Sequence, residues 1–162
     1  MLARAEKQWS EIHPDLPVAD ATLLGGLIGV AANLDAIGVS VLKQYGLGQS
    51  EHDVLACARR QTPPYIATPG LLLEEVRITS GALTTCINRL HDKKLLKRVH
   101  ADNDQRSKPI ALTAKGKALI DDVTAHRFEL ARTLLSAFSE QEKATLKAML
   151  MKLGQITTDV PN

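Results

Sequence analysis

The most regular pattern in the chain is an apolar stripe at Leu23, Leu27, Val30, Leu34, Ile37 and Val41. Steps of four and three alternate along it, and this seven-residue repeat predicts a long helix over residues 20–45 that packs along another helix. Gly46 and Gly48 stop it. A short helix over residues 2–11 precedes it and is broken at His13-Pro14 and Leu16-Pro17, because proline disfavours helix at its own position and just before it. Ser50 is the expected cap of a third helix reaching residue 61, with Glu51 and Asp53 in its first turn, where the helix dipole favours acids. The stretch Thr62-Pro63-Pro64-Tyr65 reads as a loop. Thr68 followed by Pro69 marks a helix start, and that short helix carries Leu72, Leu73 and Val76.

The pattern then changes. Thr79 or Ser80 caps a helix ending near residue 93. Two short strands follow, over residues 96–100 and 108–112, and Pro109 suggests an edge position for the second. Thr113 caps a long helix to about residue 137. Ser139 with Glu142 three positions on forms a capping box that opens a last helix to about residue 156. Helices followed by a hairpin predict a mainly α fold with a small β-hairpin wing, a winged helix-turn-helix. Residues 1–162 form a single domain in this reading. Residues 49–112 are its DNA-binding lobe. Residues 1–45 and 114–162 are dimerisation helices, because they carry more apolar surface than one small monomer can cover.

A wheel at 100° per residue places Leu83, Ile87 and Leu90 on the core face of the helix after Thr79. Gly81, Thr85, Asn88, Arg89 and Asp92 fall opposite, with Thr84 at the edge. Hydroxyls, an amide and a guanidinium suit base edges and phosphates. Ser80, Thr84, Thr85, Asn88 and Arg89 are therefore candidate DNA contacts. The helix N-terminus offers N–H groups to phosphate, and Gly81 allows close approach of the DNA backbone. In the hairpin, Arg106 is placed to enter a minor groove, beside Lys108. Double-stranded DNA is the expected partner. Asp102 and Asp104 shortly precede Arg106 and would orient it through a salt bridge.

Charge sharpens this picture. The whole chain carries only +2. From Thr79 to Lys108 there are seven basic residues against three acids, so the positive charge is local to this segment. Composition changes little: 162 residues with 44% hydrophobic and 23% charged positions suit one soluble domain. No apolar run long enough to span a bilayer stands out, and the first residues lack a secretory core, so a cytoplasmic protein without membrane attachment is expected. Cys57 and Cys86 form neither a disulfide framework nor a metal-ligand spacing. The five histidines are scattered. No metal, cofactor or enzymatic activity is expected.

The segments SGALTTCINRLHDKKLLKR, DNDQRSKPIALTAKGKAL and FSEQEKATLKAMLMKL resemble the MarR family of dimeric winged-helix transcription regulators, over residues 23–153. The resemblance implies a homodimeric, ligand-responsive regulator, most often a repressor, on a pseudopalindromic operator. The family's wing often carries two consecutive arginines, and here Gln105 replaces the first. Lys94 stands where the family usually has the glycine that ends the recognition helix.

The N-terminal helix with Trp9, the phrase GLGQSEHDVLACARR and the loop PPYIATPG are similar to the urate-responsive, PecS-type branch. That branch uses a tryptophan, an aspartate and two arginines to bind urate or to couple binding to DNA release. By this resemblance Trp9, Asp53 and Arg98 match, and Cys86 takes the place of the second arginine. Cysteine lacks the charge and planar donors of a guanidinium. The implied site at Trp9, Asp53, Cys86 and Arg98 thus suits another small planar anionic or aromatic effector better than urate.

Alternatives stay open at this point. Trp9 also suits an anchor for the extra helix, Asp53 a helix-terminal charge, Arg98 a phosphate contact, and Cys86 a small core filler. A thiol-based redox sensor, a winged-helix protein-interaction module without DNA binding, and an enzyme with a cysteine nucleophile are the rival functions.

Overall fold

The computed structural model describes residues 2–99 and 109–159. The elements in chain order are α1 (Leu2–Ile12), α2 (Val18–Gln44), α3 (Gln49–Arg60), β1 (Ile66–Ala67), α4 (Pro69–Val76), α5 (Ser80–Asp92), β2 (Leu96–Arg98), β3 (Ile110–Leu112), α6 (Ala114–Leu134) and α7 (Glu140–Asp159). They divide into two compact units, Met1–Ile120 and Asp121–Asn162.

In the first unit, α3, α4 and α5 pack around an aliphatic core that includes Val54, Leu55, Leu72, Leu83, Leu90 and Ile110. The helix ends follow local chemistry. The Thr68 hydroxyl accepts from the Leu71 N–H (3.3 Å) with Pro69 at the first helical position, and the Thr79 hydroxyl accepts from the Ala82 N–H (3.3 Å). Thr79, not Ser80, is the cap of α5. Helix α3 departs from expectation. Gly48 rather than Ser50 precedes its first turn, and the Glu51 carboxylate reaches back to the Gly48 N–H at 3.0 Å.

The sheet is antiparallel with order β1–β3–β2. Ile66 pairs with Ala111 and Ala67 with Ile110; on the other side Leu96 pairs with Leu112 and Arg98 with Ile110. Two expectations fall here. Residues 66 and 67, not foreseen as a strand, form β1. The strand after Pro109 is therefore central, not an edge. Pro109 escapes the ladder penalty because it precedes the first paired residue, while its carbonyl accepts from the Val99 N–H at 2.8 Å. Thr113 joins the sheet to α6: its hydroxyl donates to the Lys94 carbonyl (2.8 Å) and accepts from the Gly116 N–H (3.0 Å).

Helix α2 corrects a further expectation. It is 27 residues long, and its length and composition would let it cross a bilayer. Asn33 and Asp35 interrupt any continuous apolar run, whereas abundant Gly, Ala, Leu and Val keep the average high. Its stripe is buried within the chain only at the end, at Val41, while Leu23 is 70% exposed and Val30 and Leu34 are also exposed. In the second unit, the Ser139–Glu142 capping box forms as expected: the Ser139 N–H donates to Glu142 (2.8 Å) and the Glu142 N–H to the Ser139 hydroxyl (3.3 Å). Phe128, Phe138, Met149 and Leu150 lie exposed there.

Candidate nucleic-acid interface

Helix α5 buries Leu83, Cys86, Ile87 and Leu90 and exposes Ser80, Gly81, Thr84, Thr85, Asn88 and Arg89. The predicted faces are thus the observed ones, except that Cys86 belongs wholly to the core. A Cβ on Gly81 would meet no atom within 4 Å, so packing within the fold does not require glycine there. The hydroxyl of Thr84 donates to the Ser80 carbonyl (2.9 Å) and that of Thr85 to the Gly81 carbonyl (3.1 Å). Both side chains are held against their own helix with oxygen lone pairs left outward. Just past the C-cap Lys93, Lys94 has a φ of 59°, the left-handed conformation that glycine adopts more readily.

Beyond α5, Arg98 on β2 extends across to the helix and its Nη2 donates to Asn88 Oδ1 at 2.8 Å. The structure thus joins a residue matched to an effector site with one matched to a DNA contact. Arg98 also borders a cleft of about 150 Å³ with Pro69, Leu73, Ser80, Leu83, Thr84 and Ile87. Arg106 and Lys108 lie outside the described residues.

The other proposed effector residues are dispersed. Trp9 is half exposed, stacks on His13 (ring centroids 5.8 Å apart, 17° between planes), and lines a largely apolar cavity of about 610 Å³ between α1 and α2. Neither Asp53, Cys86 nor Arg98 borders that cavity. Asp53 accepts from Gln49 Nε2 (2.9 Å) and lies 2.9 Å from His52 Nδ1.

Sequence reasoning missed the ion pair beneath α5. Lys93 Nζ lies 2.8 and 2.9 Å from the two carboxylate oxygens of Glu51 and donates to the Gly46 carbonyl (3.0 Å). Among the described residues Glu51 is the buried charged side chain. Burial pushes its pKa up, but the Lys93 and Gly48 hydrogen bonds and the charges of Lys93 and Arg89 prevail and hold it below the ordinary value. Nothing local in sequence marks this pair, since its partners are 42 positions apart.

The thiols do not suit nucleophilic or redox chemistry. Burial, followed by the Glu75 charge and hydrogen bond, pushes Cys57 up to about 11; burial and then the Glu51 charge push Cys86 up to about 11. Both are buried and free. Among the described residues no three metal-ligating side chains cluster.

A helix with a capped N-terminus and a polar outer face, set beside a three-stranded sheet, defines the winged helix-turn-helix class. No family model matches the chain. It is 36% identical over 144 residues to the HTH-type transcriptional regulator PecS of Dickeya dadantii, covering 89% of this chain and 87% of that protein. The chain belongs to the MarR family of transcription regulators, and its relatives are regulators rather than enzymes. Solved structures share the fold, among them the two that follow. The Staphylococcus aureus MepR–DNA complex superposes with a TM-score of 0.71 at 23% identity, over 81% of this chain and 94% of that one. Bordetella bronchiseptica BpsR, whose DNA binding is regulated by 6-hydroxynicotinic acid, gives 0.64 at 20% identity, over 82% and 98%.

Proposed function

We propose that the protein is a cytoplasmic, homodimeric, effector-responsive repressor that sets α5 of each subunit into a major groove of a pseudopalindromic operator. The observation that carries this reading is the division of α5 into a buried aliphatic face and an exposed face of Thr84, Thr85, Asn88 and Arg89. Ser80 and the helix N-terminus lie toward phosphate, Arg106 enters the flanking minor groove, and Lys108 adds a backbone contact. Half-sites then fall about one helical turn apart.

Residues 1–45 and 114–162 dimerise in this reading, and residues 49–112 form the DNA-binding lobe. The exposed apolar side chains of α2, and separately those of α6 and α7, support it: water is a poor solvent for so much aliphatic surface, and a second copy covers it. The same covering accounts for a helix of membrane-spanning length in a DNA-binding protein. A small planar anionic or aromatic effector is the proposed signal. Trp9, Asp53, Cys86 and Arg98 respond to it, and Trp9 provides an aromatic face. By linkage, the effector must bind the DNA-incompetent state more tightly.

The test is duplex binding by fluorescence anisotropy across a salt series, with sedimentation of the free protein. A dimer whose affinity falls steeply with salt, by a log–log slope of about −0.9 per phosphate neutralised, is expected. A monomer, or a salt-insensitive interaction, would return the molecule to the class of protein-interaction modules.

A further inference from the structure

We infer that Arg98 is a specificity-determining residue: by holding Asn88 Oδ1, it makes Asn88 a hydrogen-bond donor that reads guanine instead of adenine. This rests on the proposed DNA-binding role of α5.

An asparagine reads adenine by a two-way exchange, its oxygen accepting from the base N6 amino group while its NH₂ donates to N7. Here the oxygen is already engaged, since Arg98 Nη2 donates to it at 2.8 Å. The orientation of the amide follows from chemistry: a guanidinium can only donate, so the atom facing it must be the oxygen. A second lone pair remains on that oxygen, but a base amino group approaching it would meet the positive guanidinium alongside. The Asn88 NH₂ is left to face outward as a pure donor. Guanine presents N7 and O6, two acceptors side by side, on its major-groove edge. The donor groups of Asn88 and the positive field of Arg98 both favour that edge.

The preceding turn has the opposite polarity. Thr84 and Thr85 have committed their hydroxyl hydrogens to the carbonyls of Ser80 and Gly81, leaving oxygens that accept. The outer face of α5 therefore presents acceptors at 84 and 85 and donors at 88 and 89. Arg98 comes from β2, outside the helix, so no reading of α5 alone contains this effect.

The test is selection of bound duplexes from a random pool with the full-length wild type, Asn88→Ala, Arg98→Met and Arg98→Lys, each checked for folding by thermal melting. Asn88→Ala identifies the base position read by Asn88, as the symmetric pair whose preference flattens. That position is expected to be guanine in the wild type, favoured over adenine by about 10-fold or more. Arg98→Met frees the amide and shifts the preference to adenine, while Arg98→Lys, still a donor, retains guanine. Adenine at that position in the wild type, or the same base in wild type and Arg98→Met, overturns the inference while leaving DNA binding intact. So does a pool profile that Asn88→Ala does not change. The wild-type result stands even if Arg98→Met fails to fold. A wild-type protein that enriches no sequence removes the DNA-reading proposal along with this one.

Discussion

The Lys93 ammonium bridges both oxygens of the buried Glu51 carboxylate, and so joins the end of α5 to the start of α3. Lys93 is the residue that closes α5, and Glu51 also holds the Gly48 N–H. One carboxylate thus secures two helix ends. Removing the lysine leaves a carboxylate with little water around it. Lys93→Met should destabilise the fold by about 1–3 kcal/mol, from the cost of an unsatisfied buried acceptor. Urea denaturation measures this. Glu51→Gln combined with Lys93→Met should be less damaging than the sum of the two single changes, because no charge is then left stranded.

The same pair predicts an acid-dependent term. The folded pKa of Glu51 lies below its ordinary value of 4.5, so the unfolded chain binds its proton more readily. Its contribution is complete above the unfolded pKa and is lost as pH falls through the folded one. Glu75, Glu129 and Glu142 shift in the same direction through their own partners. The Glu51 share is therefore read as a difference: between pH 6 and pH 3, Glu51→Gln should lose less stability than the wild type. Parallel stability–pH curves would show that Glu51 contributes nothing.

Gly116 packs directly against the backbone of Leu95. A Cβ there would lie 1.8 Å from the Leu95 carbonyl oxygen and 2.7 Å from its carbon. Backbone on both sides cannot yield as a flexible side chain would. Gly116→Ala should cost about 3 kcal/mol or more, a cost typical of severe overpacking. Thermal melting would register it, and an unchanged midpoint would mean that α6 can move away from Leu95.

The two thiols should be slow to react. With pKa values raised to about 11, the thiolate fraction at pH 7 is about one in ten thousand. Iodoacetamide should label Cys57 and Cys86 in the native protein far more slowly than in urea, and mild peroxide should leave DNA affinity unchanged. Rapid native labelling would revive the redox-sensor reading.

What was legible in the sequence was mostly local. Thr68-Pro69, Thr79 and the Ser139–Glu142 box mark helix starts because a cap and its partner lie within one turn. Leu83, Ile87 and Leu90 mark a buried face because helical period maps directly onto direction. The misjudged positions depended on distant partners. Ile66 and Ala67 carry no strand signal of their own, and they become β1 only by pairing with Ala111 and Ile110. Pro109 suggested an edge because its missing N–H was visible and the second neighbour of β3 was not. The start of α3 is the exception, a local contact passed over: Glu51, three positions on, reaches back to the N–H of Gly48, a residue with no capping side chain of its own to mark it.

By itself the sequence determined where α5 would begin and which of its side chains would point outward. These follow from periodicity and capping, whose range is a single turn. Only the tertiary structure decided the chemical state in which those side chains are presented. Lys93 meets Glu51 across 42 positions and Arg98 meets Asn88 from a different element. A hydrogen bond forms only where folding brings donor and acceptor within about 3 Å, and chain order does not specify that distance.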